Sequence, residues 1–133
     1  MSGGTVVIVE DVATSAAALE MVFFPIPDIA VVVLPAAQDA LRLLERADCA
    51  VCAVITDLNM PRMDGFEFIE RIRAEPRHRR LPIIVISGDT DPQTPERISA
   101  LGANAFFSKP YSPAQVRLKL EQLLDAMSAD RSP

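Results

Sequence analysis

Four short apolar runs constrain this chain more than any other feature: Val6-Val7-Ile8-Val9, Ile29 to Leu34, Val51 to Ile55 and Ile83 to Ile86 are β-branched and almost unbroken. A strand reads this way when both of its faces are covered, as in a parallel sheet. Ala105-Phe106-Phe107 is a fifth, weaker run. Between the runs lies helical periodicity. Ala37, Ala40, Leu41 and Leu44 fall at i, i+3, i+4 and i+7, and Val116, Leu120, Leu123, Leu124 and Met127 repeat the pattern. Parallel neighbours need helical crossovers, so five strand–helix repeats imply a (βα)5 doubly wound α/β fold.

Helix starts are signposted. Ser112-Pro113-Ala114-Gln115 is a capping box with Pro at the first helical position. Asp64-Gly65-Phe66-Glu67 resembles a capping box with Asp as the cap, and Asp64 reads as a cap, not a ligand. Thr94-Pro95 opens a short helix that Gly102 can close in a left-handed conformation. The 133 residues are read as one domain with a core at about 5–127, short ends and no visible output domain.

Composition narrows the function classes. No apolar run approaches the ~20 residues that cross a bilayer, and the start Met1-Ser2-Gly3-Gly4 lacks the pattern of an export signal. With two cysteines and no such signal, a cytoplasmic location is expected. Thirteen basic against 18 acidic residues, net −5, oppose sequence-independent binding to nucleic acid.

In an open parallel sheet, ligands bind outside the carboxyl ends of the strands. Those ends carry Glu10-Asp11, Thr56-Asp57, Ser87-Gly88 and Ser108-Lys109-Pro110. Three neighbouring carboxylates repel one another, and a divalent cation offsets that repulsion. An all-oxygen, hard ligand set suits Mg²⁺. Lys109 adds a cationic point charge for an anion, and Ser87 a hydroxyl. Around one free carboxylate, this describes an aspartyl group ready to accept a phosphoryl, where catalysis is mostly positioning and charge stabilisation. A carboxylate nucleophile needs no general base.

At this point the residues carry a resemblance. Val6 to Asp11, then Val54-Ile55-Thr56-Asp57-Leu58-Asn59-Met60-Pro61-Arg62-Met63-Asp64-Gly65-Phe66-Glu67, then Ile84 to Gly88, then Phe106-Phe107-Ser108-Lys109-Pro110 resemble the receiver domain of two-component response regulators. The resemblance implies a flavodoxin-like sheet of order 2-1-3-4-5. It implies Asp57 as phosphoacceptor, with Mg²⁺ held by Glu10, Asp11, the Asp57 carboxylate and the backbone carbonyl of Asn59. Ser87 becomes the switch hydroxyl, Lys109 the phosphate-contacting lysine and Phe106 the switch aromatic. Asn59 and Asp89, each two residues past a site residue, would tune the lifetime of the phosphoryl group. A cis peptide is implied between Lys109 and Pro110. The phosphoryl donor would be a histidine kinase, a phosphotransfer protein or a small phosphodonor. The output would be a partner protein bound through the fourth helix, fifth strand and fifth helix, by a monomer or weak dimer.

Several positions depart from the family's pattern. Val12 follows the acidic pair where a polar residue is usual, and Ser87 replaces the commoner Thr. Phe23-Phe24-Pro25-Ile26-Pro27 is unusually apolar for a turn. Asn104-Ala105 stand where regulators with winged-helix output domains carry two acids.

Bland readings compete at each site. Singly, Glu10 and Asp11 are surface acids, Ser87 a turn residue, Lys109 a solvated side chain and Phe106 plain core; their joint placement at strand ends argues otherwise. Phe107 reads as packing only. Cys49-Ala50-Val51-Cys52 precedes a strand instead of opening a helix, so buried inert thiols are the better reading. His78 lies in a basic, solvated linker, Arg77-His78-Arg79-Arg80. A phosphatase of the haloacid dehalogenase type wants a second acid where Asn59 stands. A flavodoxin wants a phosphate loop where Glu10-Asp11 would repel phosphate, and no glycines form G-x-G-x-x-G. A degenerate, unphosphorylated receiver is opposed by the intact set of acids, Ser and Lys.

Overall fold

A computed structural model describes residues 4–46, 50–60 and 62–131, the side chains of 128–131 excepted. Strands and helices alternate along the chain: β1 (Gly4–Val9), α1 (Ala13–Phe23), β2 (Ile29–Leu34), α2 (Ala37–Glu45), β3 (Val51–Asp57), α3 (Gly65–Ala74), β4 (Ile83–Ser87), α4 (Thr94–Ala100), β5 (Ala105–Ser108) and α5 (Pro113–Arg131). All five strands are parallel, in the order β2-β1-β3-β4-β5, as the resemblance implies. The sheet is covered on both faces. Val7, Val9, Val54, Ile83 and Val85 pack with α2, α3 and α4, whereas Val6, Ile8, Ile55, Ile84 and Ile86 pack with α1 and α5. That two-sided burial is why the runs lack polar alternation. β2, at one edge, is only half-buried.

The strands extend beyond their apolar runs. β3 ends at Asp57 and β4 at Ser87, so both polar residues are the last members of buried strands. Local signals hold at three helix ends. Asp64 Oδ1 accepts the Glu67 N–H at 2.9 Å, and Ser112 Oγ accepts the Gln115 N–H at 3.4 Å. Gly102 takes φ +109° after α4. Glu67 does not complete a capping box, because its carboxylate pairs with Arg71 at 2.9 Å.

α4 opens at Thr94-Pro95, as the sequence indicates, but without a side-chain cap. Thr94 lies inside the helix, and its hydroxyl donates to Asp89 Oδ2 at 3.1 Å instead of accepting a helix N–H. The basic linker is not wholly irregular either. Pro76–His78 forms one 3-10 turn, and the His78 carbonyl accepts Arg73 Nη1 at 2.6 Å. The Phe23–Pro27 turn is anchored by buried Phe23 and Ile26, while Phe24 is exposed. Cys52 is half-buried on the α1–α5 side; Cys49 lies outside the described residues.

Candidate phosphoacceptor site

Asp57 is held at the carboxyl edge of the sheet, 5% exposed. Its Oδ1 accepts the backbone N–H groups of Leu58 at 2.6 Å and Asn59 at 3.2 Å. Its Oδ2 accepts the Lys109 ammonium at 2.7 Å. The carboxylate is therefore oriented from both sides before any ligand arrives. Lys109 reaches it from the loop after β5, where the Lys109–Pro110 peptide is cis and the Lys109 N–H donates to the Ser87 carbonyl at 2.9 Å. Burial pulls the Lys109 ammonium down, but the hydrogen bond and attraction of Asp57, with Glu10 adding, outweigh it and leave its pKa raised.

Glu10 is buried at the end of β1. Its Oε2 accepts the Val12 N–H at 3.2 Å, which gives that donor at the N-cap of α1 a partner. Its Oε1 stands 3.6 Å from Lys109 Nζ and makes no hydrogen bond. Burial pushes the Glu10 carboxyl up. The Val12 N–H and Lys109 oppose that shift, while Asp57 and Asp11 reinforce it.

The other expected residues surround this pair. Asp11 and Asn59 are exposed. Ser87 is fully buried at the end of β4, one residue beyond Ile86, which pairs with Asp57. Its Oγ accepts the Asp89 N–H at 3.0 Å. Phe106 and Phe107 are both half-buried and face opposite sides of the sheet. Phe106 lies toward Ile98 and Leu101, Phe107 toward the α1–α5 layer. Sequence reasoning does not single out Tyr111, two residues past Lys109. It is half-buried, and its phenol pKa is raised by burial, then by Glu10 and Asp57, against Lys109.

The expected cluster of three mutually repelling carboxylates is only partly formed. Lys109 bridges Glu10 and Asp57, supplying the positive charge they need, and Asp11 projects into solvent. Among the described residues no three His, Cys, Asp or Glu side chains stand together as a finished metal cage. A Mg²⁺ site that completes its shell with a backbone carbonyl and water does not require one. The donor chemistry fits such an ion: Glu10, near Asp57, has a buried oxygen that no donor satisfies, and Asp11 follows it in the chain.

Comparisons with known proteins agree with this fold. The family model described as the response regulator receiver domain matches residues 6–121. A chemotaxis protein CheY homolog of Campylobacter jejuni is 38% identical over 82 residues, 60% of this chain and 62% of that protein. Chemotaxis protein CheY1 of Helicobacter pylori is 40% identical over 85 residues, 62% of this chain and 65% of that protein. The matches thus span less than two thirds of these relatives. Among solved structures, a response regulator from Chloroflexus aurantiacus superposes with TM-score 0.83 at 26% identity, over 93% of this chain and 99% of that one. The receiver domain of a Pseudomonas aeruginosa sensor histidine kinase, with magnesium in its active-site cleft, superposes with TM-score 0.79 at 24% identity, over 93% of this chain and 99% of that one. With its sheet order, strand-end residues and a family match across most of its length, the chain belongs to the response regulator receiver domain family.

Proposed function

We propose that this chain is a phosphorylation-controlled signalling switch, in which Asp57 accepts a phosphoryl group from a histidine kinase, a phosphotransfer protein or a small phosphodonor. The observation that carries this reading is the buried Asp57 carboxylate, oriented by two backbone N–H groups and gripped by Lys109 at 2.7 Å. Asp57 attacks the donor's phosphorus in line; the new bond is carboxylate oxygen to phosphorus, and the donor leaves with the bonding pair. Lys109 steadies charge on one equatorial oxygen, and the Ser87 hydroxyl can turn to donate to another. Glu10, Asp11, Asp57 and the Asn59 carbonyl would hold Mg²⁺, which when bound neutralises charge on the transferring group. The unit that switches is about residues 5–127, acting in the cytoplasm.

Loss of the phosphoryl needs an attacking water. Asn59 is exposed beside Asp57, and neither it nor Asp89 is bulky or apolar. The phosphoaspartate therefore lasts seconds to minutes, and Asn59→Met or Asn59→Arg slows its loss; a wild-type lifetime of hours refutes this.

The reading itself is tested with acetyl phosphate and Mg²⁺, followed by intact mass. One phosphoryl group should be gained, and none in Asp57→Asn or in EDTA. A gain that persists in either control overturns the assignment. No helix among the described residues is long and apolar enough to cross a membrane.

A further inference from the structure

Both oxygens of Asp89 are already engaged. Oδ1 accepts the Asp91 N–H at 2.8 Å, and Oδ2 accepts the Thr94 hydroxyl at 3.1 Å. The Asp89 N–H in turn donates to Ser87 Oγ. A chain of hydrogen bonds thus runs from the last residue of β4 to the first residue of α4. That helix has few other anchors. It is seven residues long, buries only Thr94 and Ile98, and its N-cap residue Gln93 makes no side-chain cap bond. Thr94 is 1% exposed, so its hydroxyl depends on Asp89 for a partner.

Resting on the phosphoacceptor reading above, we propose that the Asp89–Thr94 hydrogen bond is a latch that holds α4 in the unphosphorylated position, with Thr94 as its positioning residue. The Ser87 oxygen that accepts the Asp89 N–H is the same atom that would turn toward a phosphoryl group on Asp57. When it turns, the Asp89 N–H loses its acceptor, the loop between β4 and α4 rearranges, and the carboxylate leaves Thr94. A contact made only in the resting state opposes activation, so its removal favours the activated state by linkage.

The test is a titration of the full chain with beryllofluoride and Mg²⁺, followed by backbone amide shifts. Thr94→Val removes the hydroxyl while nearly keeping the shape; Thr94→Ser keeps the hydroxyl. Thr94→Val should half-saturate at roughly two- to tenfold lower beryllofluoride, the worth of one hydrogen bond. Its resting amide shifts at Glu96 and Arg97 should move toward those of the loaded wild type, and Thr94→Ser should behave as wild type. In the wild type, amide exchange at Thr94, Glu96 and Arg97 should quicken on loading, a measurement that does not depend on any variant folding. A responding wild type beside an unchanged or weakened Thr94→Val midpoint, or unchanged exchange at Thr94, Glu96 and Arg97, overturns the latch alone. A wild type that does not respond at Asp57 overturns the phosphoacceptor reading and the latch with it.

Discussion

Asn104 and Ile83 exchange two hydrogen bonds where β4 and β5 begin: the Ile83 N–H donates to Asn104 Oδ1 at 2.8 Å, and the Asn104 N–H donates to the Ile83 carbonyl at 2.8 Å. The same Oδ1 accepts Arg73 Nη2 at 3.2 Å, and Arg73 also donates to the Gly102 carbonyl from Nε at 3.1 Å and Nη2 at 2.7 Å. Asn104 therefore serves the fold at a position where regulators with winged-helix outputs place an acid for dimerisation.

Asn104→Ala is expected to leave the Ile83 N–H without its acceptor and to cost about 1–3 kcal/mol. Asn104→Asp keeps the acceptor and gains attraction to Arg73, so it should lose less. Urea unfolding separates the two. An alanine variant as stable as wild type contradicts the role.

Gly65 sits where β3 hands over to α3. A Cβ there would stand 2.7 Å from the Asp57 carbonyl oxygen and 2.7 Å from Leu58 Cα, both backbone atoms. Gly65→Ala must push α3 away from the end of β3, which breaks the Gly65 N–H bond to the Leu58 carbonyl, now 2.8 Å. A loss of about 1–3 kcal/mol is expected from overpacking. Asp57 should also phosphorylate more slowly, since its orienting N–H groups lie in this turn. Chemical unfolding and acetyl phosphate kinetics on the same variant check both effects.

These two cases show which parts of the molecule its sequence displays. Strand runs, the Asp64 cap and the Gly102 turn are short-range patterns of period and spacing, legible because neighbours in sequence make them. The Arg73–Gly102 and Ile83–Asn104 bonds join residues 29 and 21 apart, and no local pattern encodes them. The site is a middle case. Asp57 and Lys109 are 52 residues apart, yet each is marked by ending or following a strand, and parallel topology brings all strand ends to one edge. The opening of α4 at Thr94-Pro95 is equally legible, whereas the commitment of the Thr94 hydroxyl to Asp89 is not.

Glu10 should make stability depend on pH in a definite direction. Burial raises its carboxyl pKa, so the folded chain holds that proton more tightly than the unfolded one. The associated stability is present below the unfolded value and lost as pH rises through the raised folded value. Glu10→Gln cannot lose that proton. Without divalent metal, the variant should be more stable than wild type at neutral pH and lack this part of the slope. Urea unfolding in EDTA across the acidic range measures it; parallel curves for the two proteins refute the argument.

Lys109→Ala should fold yet uncouple phosphorylation from its consequence. In the resting state the ammonium grips Asp57 Oδ2, and after transfer it would hold a phosphoryl oxygen. Charge-assisted contacts of this kind contribute on the order of 1.5–3 kcal/mol, comparable to the gap between two states of a switch. Beryllofluoride should then shift the amides near Asp57 while leaving those of α4 and β5 near their resting values. Full wild-type shifts in the variant would show the lysine to be dispensable.

Output is expected through the α4–β5–α5 face, by protein contact and without DNA. Net charge −5 opposes docking on phosphates. Phe106, half-buried against α4, lies on β5 three residues before Lys109, so a change at the site reaches this face over a short path. Symmetric dimerisation of the winged-helix kind lacks its acids here. Asn104 Oδ1 is already taken by Ile83 and Arg73, and Ala105 carries no charge. Sedimentation should show a monomer at rest and at most a weak dimer with beryllofluoride, and fluorescence anisotropy should show no specific DNA binding. A tight dimer through this face that forms without phosphorylation, or specific DNA binding by the chain, overturns the expectation.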